Sequence, residues 1–307
     1  MQALLKKGYL VRSTSRVLTE ESNDNEDDTV EHYRFDLDDD SPDYERLLAN
    51  VDVVIHLAAI VHAKHKPENN VSGYNKINAI GTERLAKAAS SYGIKRFIFL
   101  SSIKINGERN SFDAKGQALA FSENDSPCPH EAYAMSKLKA EDAIRKICRE
   151  SEMDFVILRP TLVYGPGVKA NFLSLIDVVN KNYPLPFASI KNKRSLLYVG
   201  NLIHAITLSV SYPEKANKIY LVSDTDISVP QLVRKIALLL EKRALLFYFP
   251  VKCLKSLGSF TGGRPRIDRL TDSLLADASL IRKDLKWQPL FSFDEGMQET
   301  LDWYLQR

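Results

Sequence analysis

The stretch KRFIFLSSIKING, residues 95–107, decides how the chain is expected to fold. Its apolar part predicts a buried strand over residues 96–101. Apolar residues at spacings of three and four then predict a long amphipathic helix over residues 131–151. A second apolar run, residues 155–159, predicts the next strand. A strand, a long helix and another strand in this order are typical of parallel strands joined by crossover helices.

The same alternation extends in both directions along the chain. Further strands are predicted at residues 9–13, 32–35, 51–56 and 218–222. Further helices are predicted at residues 70–92, 202–212, 229–241 and 293–305. The pattern loosens after Pro160. We therefore predict an α/β fold with a doubly wound parallel sheet at residues 1–164 and a smaller C-terminal lobe at residues 165–307 that also returns to the sheet.

The beginning of the chain differs from the usual form of such a sheet. A doubly wound nucleotide-binding sheet starts with a strand and a glycine-rich turn, whose backbone N–H groups receive a pyrophosphate. Here QALLKKG, residues 2–8, predicts the end of a helix, and residues 9–15 predict what would be the second strand. Neither G-x-G-x-x-G nor G-x-x-G-x-x-G occurs in the 307 residues. We expect a Rossmann-like sheet with its first strand missing, or else a fold that starts differently.

Composition and charge argue against several kinds of partner. The longest apolar run, residues 51–61, is much shorter than the ~20 residues that a bilayer span needs, and it contains Asp52 and His56. The net charge is +3, with −7 on residues 1–50. The basic residues downstream do not form a stripe with interleaved aromatic residues. We therefore expect no membrane partner and no nucleic-acid partner.

The cysteines and histidines point to a reducing compartment without a metal site. Three scattered cysteines contain no C-x-x-C pair, and no secretory signal opens the chain, so a cytoplasmic location is expected. His56, His62 and His65 lie close in sequence, but no carboxylate separates them and their spacing does not match a zinc site. We expect no metal.

The strongest chemical signal is YAMSK, residues 133–137, on the predicted helix 131–151. Tyr133 and Lys137 are four residues apart and share one helical face. A nearby ammonium favours the phenolate, so Lys137 is expected to lower the pKa of Tyr133 toward working pH and make it an acid/base. A hydroxyl from Ser101 or Ser102, at the end of the preceding strand, could bond the substrate oxygen. Alone, Y-x-x-x-K is also compatible with a surface pair.

Five motifs in order give this pair a context. They are VDVVIHLAA (51–59), YNKINAIGT (74–82), KRFIFLSSIKING (95–107), YAMSK (133–137) and LRPTLVYGPG (158–167). With these motifs the chain resembles the extended short-chain dehydrogenase/reductase family, and within it the nucleotide-sugar epimerase/dehydratase group. The resemblance implies that Ser102, Tyr133 and Lys137 are catalytic. It also implies that residues 1–164 bind a dinucleotide and that residues 165–307 bind a nucleotide-sugar substrate.

The resemblance also implies which residues contact the cofactor. Asp36 and Leu37 match the pair at the adenine end, and Asn78 matches an Asn that steadies the helix behind the nicotinamide. The other residues implied on the cofactor side are Arg16, Leu57, Ala58, Ala59, Ser101, Tyr133 and Lys137. The resemblance implies NAD as the cofactor. NADP stays open, because the second strand ends in Arg12, Ser13 and Arg16 without an acidic residue for the ribose 2′-OH.

On the substrate side, the resemblance implies diphosphate contacts. Asn171 and Phe172 follow the YGPG turn, and Arg194 opens the segment R-x-x-x-x-V-x-x-L, whose Arg pairs with pyrophosphate. A planar guanidinium suits bidentate phosphate binding. Arg269, in GGRPRIDRL, is a second candidate. A surface charge is the alternative interpretation for both arginines.

The reaction is expected at C4 of the sugar. Dehydratases of the group carry Asp-Glu after the catalytic hydroxyl, whereas this chain has Ile103 and Lys104, which disfavours dehydration. We expect a 4-epimerase of a UDP-hexose or UDP-N-acetylhexosamine working through a 4-keto intermediate, or alternatively a UDP-4-keto-sugar reductase. A non-catalytic protein that cannot bind dinucleotide without the glycine turn is the rival from another class. A homodimer through the helices holding Leu85 and Leu138 is also expected from the resemblance.

Overall fold

The computed structural model describes residues 1–17, 30–39, 41–61, 71–260 and 263–307. Its strands are β1 (Val11–Ser15), β2 (Val30–Arg34), β3 (Val53–His56), β4 (Arg96–Leu100), β5 (Asp154–Pro160), β6 (Leu162–Tyr164), β7 (Arg194–Tyr198), β8 (Lys218–Val222) and β9 (Thr225–Ile227). Its α-helices are α1 (Gln2–Leu5), α2 (Tyr44–Leu48), α3 (Val71–Gly73), α4 (Thr82–Ser91), α5 (Ala132–Arg149), α6 (Ala170–Asn180), α7 (Val199–Ser211), α8 (Val229–Leu239), α9 (Val251–Phe260), α10 (Arg264–Thr271), α11 (Ser279–Asp284) and α12 (Phe293–Leu305). Among these helices, none has the length and apolar character that a membrane crossing requires.

The described strands form three sheets. β1 pairs with β2 in parallel, and a second sheet has the order β3-β4-β5-β8, in which β4 runs parallel to both β3 and β5. The third sheet has the order β6-β7-β9, with one parallel and one antiparallel pair. The predicted α/β fold with parallel strands is confirmed. The short helix α1 precedes β1, as residues 2–8 predicted.

Strands β4 and β5 are buried on both faces, which explains why they were easy to predict. Every residue of β5 is buried, and so are four of the five residues of β4. A strand covered on both sides needs a continuous apolar run rather than an alternating one. The sequences RFIFL and DFVILRP have this character.

The chain divides into two compact units that are interleaved along the sequence. The first comprises Met1–Ile105, Pro127–Arg159 and Ile203–Tyr220, and the second comprises Asn106–Ser126, Pro160–Leu202 and Leu221–Arg307. The sequence predicted one boundary, between residues 164 and 165, and a C-terminal lobe that returns to the sheet. The binding roles assigned to the two predicted parts stay predictions.

Each unit has its own hydrophobic core. In the first unit, Phe97, Phe99 and Ile157 of the sheet pack with Ala86 of α4 and Ile144 of α5. The core of the second unit combines aliphatic residues with an aromatic group around Tyr164. The ring of Tyr164 stacks on Phe172 with ring centres 5.6 Å apart and also contacts the rings of Tyr198 and Phe293.

A π-helical stretch, Tyr74–Gly81, joins α3 to α4. The sequence predicted an uninterrupted amphipathic helix over residues 70–92, of which Asn70 lies outside the described residues. The wide π turns bury Tyr74 and Asn78. A Cβ on Gly81 would lie 3.1 Å from the Cβ and the carbonyl oxygen of Leu37, so glycine permits this close approach. π-helical stretches inside α-helices occur frequently at functional sites.

Candidate active site

Tyr133 and Lys137 lie one turn apart near the start of α5. Lys137 is buried, with 2 % of its surface exposed. Its Nζ donates a hydrogen bond to the Leu100 carbonyl at 2.8 Å and lies 4.4 Å from the centre of the Phe99 ring. Tyr133 is half-buried, and its ring packs edge-on against Tyr74 with centres 6.2 Å apart. A surface pair is therefore not what the structure shows.

Burial dominates the acid/base properties of both groups. It raises the pKa of Tyr133 to about 12, and the neighbouring Tyr74 adds to the rise. It lowers the pKa of Lys137 to about 7, although Glu141 acts in the opposite direction. The sequence predicted that Lys137 would lower the pKa of Tyr133. The pKa of Tyr133 instead lies above its ordinary value, because removing the phenol from water disfavours its anion.

Ser102 follows β4 and is half-buried. Its Oγ accepts a hydrogen bond from the Lys104 backbone N–H at 3.3 Å. The Lys104 ammonium pairs with the carboxylate of Glu131, the N-cap residue of α5. This ion pair links the turn that holds Ser102 to the helix end that holds Tyr133. The structure thus brings the segments of the three predicted catalytic residues together.

Ser101 has a structural partner. Its hydroxyl donates to the Glu141 carboxylate at 2.5 Å, and Arg159 donates to the same carboxylate through Nε at 3.0 Å and Nη2 at 2.6 Å. All three side chains are buried. The hydroxyl of Ser101 is therefore committed to this network, contrary to the predicted contact with the cofactor. The network ties the end of β4 and the strand β5 to the middle of α5.

The segment after β3 has the surface expected of a ligand wall. Leu57 and Ala58 are exposed, and Ala59 is half-buried. Asn78 is buried and holds the adjacent backbone, since its Oδ1 accepts from the Ile60 N–H at 2.8 Å and its Nδ2 donates to the Ile60 carbonyl at 2.9 Å. Tight strand packing does not explain an exposed Leu-Ala pair. In open α/β sheets, ligands bind at the carboxyl ends of strands.

Three residues predicted to contact the cofactor remain, and they differ in burial. Arg16 is exposed, and Asp36 is half-buried with Oδ1 accepting from the Asp38 N–H at 3.0 Å. The side chain of Leu37 is instead part of the hydrophobic core, with 7 % of its surface exposed. Its carbonyl accepts from Arg84 Nη2 at 2.6 Å. The side chain of Leu37 therefore belongs to the core beside Gly81, and the contact of Leu37 at the adenine end stays a prediction.

His56 is a core residue at the end of β3. Its Nε2 lies 2.9 Å from the Thr82 hydroxyl, and its ring stacks on Phe99 with centres 5.6 Å apart. Burial and the nearby Lys137 lower its pKa to about 3, so the ring is neutral at physiological pH. His62 and His65 lie outside the described residues. Among the residues that are described, no three His, Cys, Asp or Glu side chains group as metal ligands do.

In the second unit, the two predicted phosphate-binding arginines are neighbours. Arg194 begins β7, and its Nη1 donates to the carbonyls of Arg269 at 2.9 Å and Asp272 at 3.1 Å. Burial lowers the pKa of Arg194, the acidic side chains of Glu108 and Asp272 oppose this, and the charge of Arg269 adds to the lowering. The guanidinium of Arg194 is thus anchored beside a second positive charge, an arrangement suited to an anion.

The two residues after the YGPG turn have different environments. Asn171 is exposed near the start of α6, where a polar ligand could reach it. Phe172 is buried, with 4 % of its surface exposed, and stacks on Tyr164. The ring of Phe172 therefore belongs to the core, and the substrate contact predicted for this residue stays a prediction. An aromatic residue in an amphipathic helix is most stable facing the core.

The family can now be compared with this geometry. The model of the NAD dependent epimerase/dehydratase family matches residues 1–223. The chain belongs to this family. It is therefore an enzyme of the extended short-chain dehydrogenase/reductase type, as the five motifs predicted, and the expected NAD dependence agrees with the family description.

Two relatives of the chain are named as 4-epimerases. The UDP-glucose 4-epimerase of Vibrio cholerae is 39% identical over 305 residues, which cover 98% of this chain and 90% of the relative. The N-acetyl-alpha-D-glucosaminyl-diphospho-ditrans,octacis-undecaprenol 4-epimerase of Escherichia coli O157:H7 is 24% identical over 276 residues, covering 84% of this chain and 79% of the relative.

A solved structure shares the fold. The crystal structure of UDP-glucuronic acid 4-epimerase from Bacillus cereus in complex with NAD aligns with a TM-score of 0.79 over 99% of this chain and 94% of that one, at 21% sequence identity. The likeness confirms the Rossmann-type architecture of the family member.

Sequence reasoning missed the residues that hold the site in place. Glu141 and Arg159 form a buried ion pair, Lys104 and Glu131 form a half-buried one, and Tyr74 packs against Tyr133. One signal was available. Glu141 is four residues after Lys137 and thus on the same face of α5, where an acidic residue turned toward a buried sheet needs a cationic partner.

Proposed function

We propose that the enzyme is a 4-epimerase of a UDP-hexose or UDP-N-acetylhexosamine, working through a 4-keto intermediate. One observation carries the proposal. Lys137 is buried one helical turn from Tyr133, with its ammonium on the carbonyl that precedes Ser101 and Ser102. The names of both relatives support a reaction at C4 of a diphosphate-linked sugar, and the more similar relative supports UDP as the carrier.

The residues present fit NAD. The exposed apolar pair Leu57 and Ala58 at the end of β3 offers a surface for the dinucleotide, and Asn78 keeps this segment in place. Lys137 has ammonium protons that suit a ribose hydroxyl, while Arg16 and Asp36 are accessible at the adenine side. When bound, NAD supplies the chemistry of accepting a hydride from C4 and returning it. NADP is not excluded, because Arg16 stands where an acidic residue would select NAD.

Tyr133 moves the proton in this proposal. Its phenolate takes the proton from the C4 hydroxyl, and the resulting phenol returns that proton to the 4-keto oxygen. Because burial raises the pKa of Tyr133 to about 12, the phenolate requires a nearby positive charge, which Lys137 provides in its protonated form. Ser102 donates a hydrogen bond to the same oxygen. Return of the hydride to one face of the keto group restores the original C4 configuration, and return to the other face gives the C4 epimer.

In this proposal, residues of the second unit bind the diphosphate of the substrate. Arg194 uses Nη1 for the carbonyls of Arg269 and Asp272, which fixes its planar guanidinium at the start of β7. We propose that the other edge of the guanidinium binds the diphosphate, together with the side chains of Arg269 and Asn171. The charge of Arg194 is then compensated by the ligand rather than by water.

The reaction itself is the direct test. The enzyme with catalytic NAD should convert UDP-glucose or UDP-N-acetylglucosamine to an equilibrium mixture of C4 epimers, followed by proton NMR, without net formation of NADH. A reductase would instead consume NADH or NADPH in proportion to a UDP-4-keto sugar and would not equilibrate the epimers. Fluorescence titration with NADH and NADPH decides the cofactor, and failure to bind either would favour the non-catalytic alternative.

The compartment is a further part of the proposal. Cys128, Cys148 and Cys253 are free thiols, and Cys148 is buried. Thiols stay reduced in the cytoplasm, where UDP-sugars and NAD are also present. We place the enzyme there, and fractionation of cells with an antibody against the chain tests it.

A further inference from the structure

One stretch of the second unit is basic and aromatic at once. Residues 242–267, here called the basic-aromatic segment, contain six Lys or Arg, no Asp or Glu, three Phe and one Tyr. The basic residues downstream of residue 50 were expected not to form a stripe with interleaved aromatic residues. This segment is an exception. It includes α9, the residues before it and the beginning of α10.

The apolar side chains of this segment are turned outward. Phe260 is 87% exposed, Tyr248 is 74% exposed and Leu257 is 53% exposed. On α9, Leu254 and Gly258 are buried, whereas the exposed positions Cys253, Leu257 and Phe260 follow one another at spacings of four and three. Such positions lie on one side of a helix. The outer side of α9 therefore carries an apolar stripe that the described residues of the second unit leave exposed.

The exposure is not the result of a loose backbone. The Leu185 N–H donates to the Leu245 carbonyl at 2.7 Å, and the Phe247 N–H donates back to the Leu185 carbonyl at 3.0 Å. The Ser189 hydroxyl bonds to the Phe249 carbonyl. These hydrogen bonds hold the backbone of the aromatic residues before α9 in place. Binding through these residues therefore costs little conformational entropy.

The charge around the stripe is positive even after internal pairing. Lys255 pairs with Asp272 at 2.6 Å, and Arg264 pairs with Asp268 at 2.9 Å. The other four basic side chains of the segment are exposed: Lys242, Arg243, Lys252 and Arg266. Two cations are compensated by two acids from outside the segment, so the segment keeps four exposed positive charges, of which Lys252 lies on α9 itself.

This combination decides which occupant suits the surface. A second copy of the same surface would bring like charges together across a twofold interface, which disfavours association. An anionic lipid surface matches both components, because phosphate headgroups attract Lys and Arg while Phe, Leu and Tyr enter the boundary with the acyl chains. We propose that the basic-aromatic segment is a peripheral binding surface for a bilayer that contains anionic lipids.

The proposal does not depend on the epimerase reaction, and it concerns lying on a membrane rather than crossing one. The expectation of no membrane partner rested on the lack of a long apolar run, which bears only on spanning. A single segment of this kind gives reversible attachment.

Cosedimentation of the full chain with vesicles tests the proposal. Vesicles of phosphatidylcholine with about one third phosphatidylglycerol should bind the protein, and vesicles of phosphatidylcholine alone should bind it at least about tenfold more weakly, since each basic residue near an anionic surface contributes severalfold. Phe260→Ser should lower the partition coefficient about tenfold, and Lys252→Glu with Arg266→Glu should lower it further. Raising the salt concentration should weaken binding.

A matched control is available in the same unit. Leu290 is 64% exposed and lies outside the segment, so Leu290→Ser should leave vesicle binding unchanged. The proposal is overturned if anionic vesicles do not bind the chain, or if Leu290→Ser weakens binding as much as Phe260→Ser. It is also overturned if Phe260→Ser halves the mass of the protein by light scattering, because a second copy then occupies the surface.

Discussion

At the scale of single residues, the catalytic set was predictable and its electrostatics were not. The spacing of Tyr133 and Lys137 and the context of five motifs were enough to find the pair and Ser102. Sequence could not show how deeply α5 buries the pair, and burial shifts both pKa values in the direction that favours the neutral forms. Motif position also does not reveal which way a side chain turns, so the burial of the side chains of Leu37, Ser101 and Phe172 was not foreseen.

Lys137 should make stability depend on pH. Its pKa is about 7 in the folded protein and near 10.5 in the unfolded chain, so between these values the unfolded state binds more protons. The free energy of unfolding should therefore rise with pH over this window, by at most about 1.4 kcal/mol per pH unit. Below pH 7 the full penalty of the buried ammonium is present.

Urea unfolding of the wild type and Lys137→Met between pH 7 and 9 measures this contribution. The difference in free energy of unfolding between the two proteins should change steadily with pH, in favour of the wild type at higher pH. A difference that is independent of pH would show that the ammonium keeps its ordinary pKa in the fold.

Arg194 should act on substrate binding rather than on the chemistry. Arg194→Lys keeps the charge but loses the planar fork, so KM for the UDP-sugar should rise about tenfold or more while kcat changes little. Arg234→Lys, an exposed position of α8, is the matched control. An equal fall in kcat with unchanged KM would remove Arg194 from the diphosphate role.

At the scale of elements, periodicity and apolar runs predicted the strands and long helices of the first unit, while the π-helical stretch Tyr74–Gly81 was not foreseen. A wider helical turn leaves the apolar pattern nearly unchanged, so the sequence signal does not distinguish it. The tie between α5, β4 and β5 through Ser101, Glu141 and Arg159 also escaped prediction, because its members are distant in sequence.

The Glu141–Arg159 pair should be a strong structural determinant of the first unit. Arg159→Met leaves a buried carboxylate without its cation and should lower the free energy of unfolding by about 3–5 kcal/mol. Replacing both partners, as Glu141→Leu with Arg159→Met, should recover much of this loss, because no buried charge is then left. Chemical denaturation checks both values. A loss below about 1 kcal/mol for Arg159→Met would show that water reaches the pair.

At the scale of the whole molecule, the main prediction is the homodimer. The sequence predicted a dimer through the helices holding Leu85 and Leu138. Leu85 itself is 5% exposed and belongs to the core of the first unit, so other residues of these helices must form the contact. Ile80 of the π-helical stretch and Met135 of α5 are each 43% exposed. We propose that these two side chains, on the same two helical segments, form the contact. Amphipathic spacing finds a buried face without telling whether the chain itself or a partner covers it.

Light scattering of the full chain tests the dimer. The expected mass is twice 34.7 kDa. Met135→Glu should shift the protein toward the monomer, because it would place like charges near the centre of a twofold interface. Leu305→Glu, at a position of α12 that is 62% exposed, is the control and should remain a dimer. A wild-type monomer at micromolar concentration would contradict the proposal.

The central claim is that the phenol of Tyr133 carries the proton of the C4 hydroxyl, and one comparison tests it most directly. Initial rates of C4 epimerisation of the UDP-sugar should be measured for the wild type, Tyr133→Phe and Tyr92→Phe, where Tyr92 is an exposed residue at the end of α4. Tyr133→Phe should lose about 10²- to 10⁴-fold in kcat while it keeps its circular dichroism spectrum and NADH affinity, and Tyr92→Phe should match the wild type. A Tyr133→Phe enzyme within threefold of the wild-type rate would contradict the account.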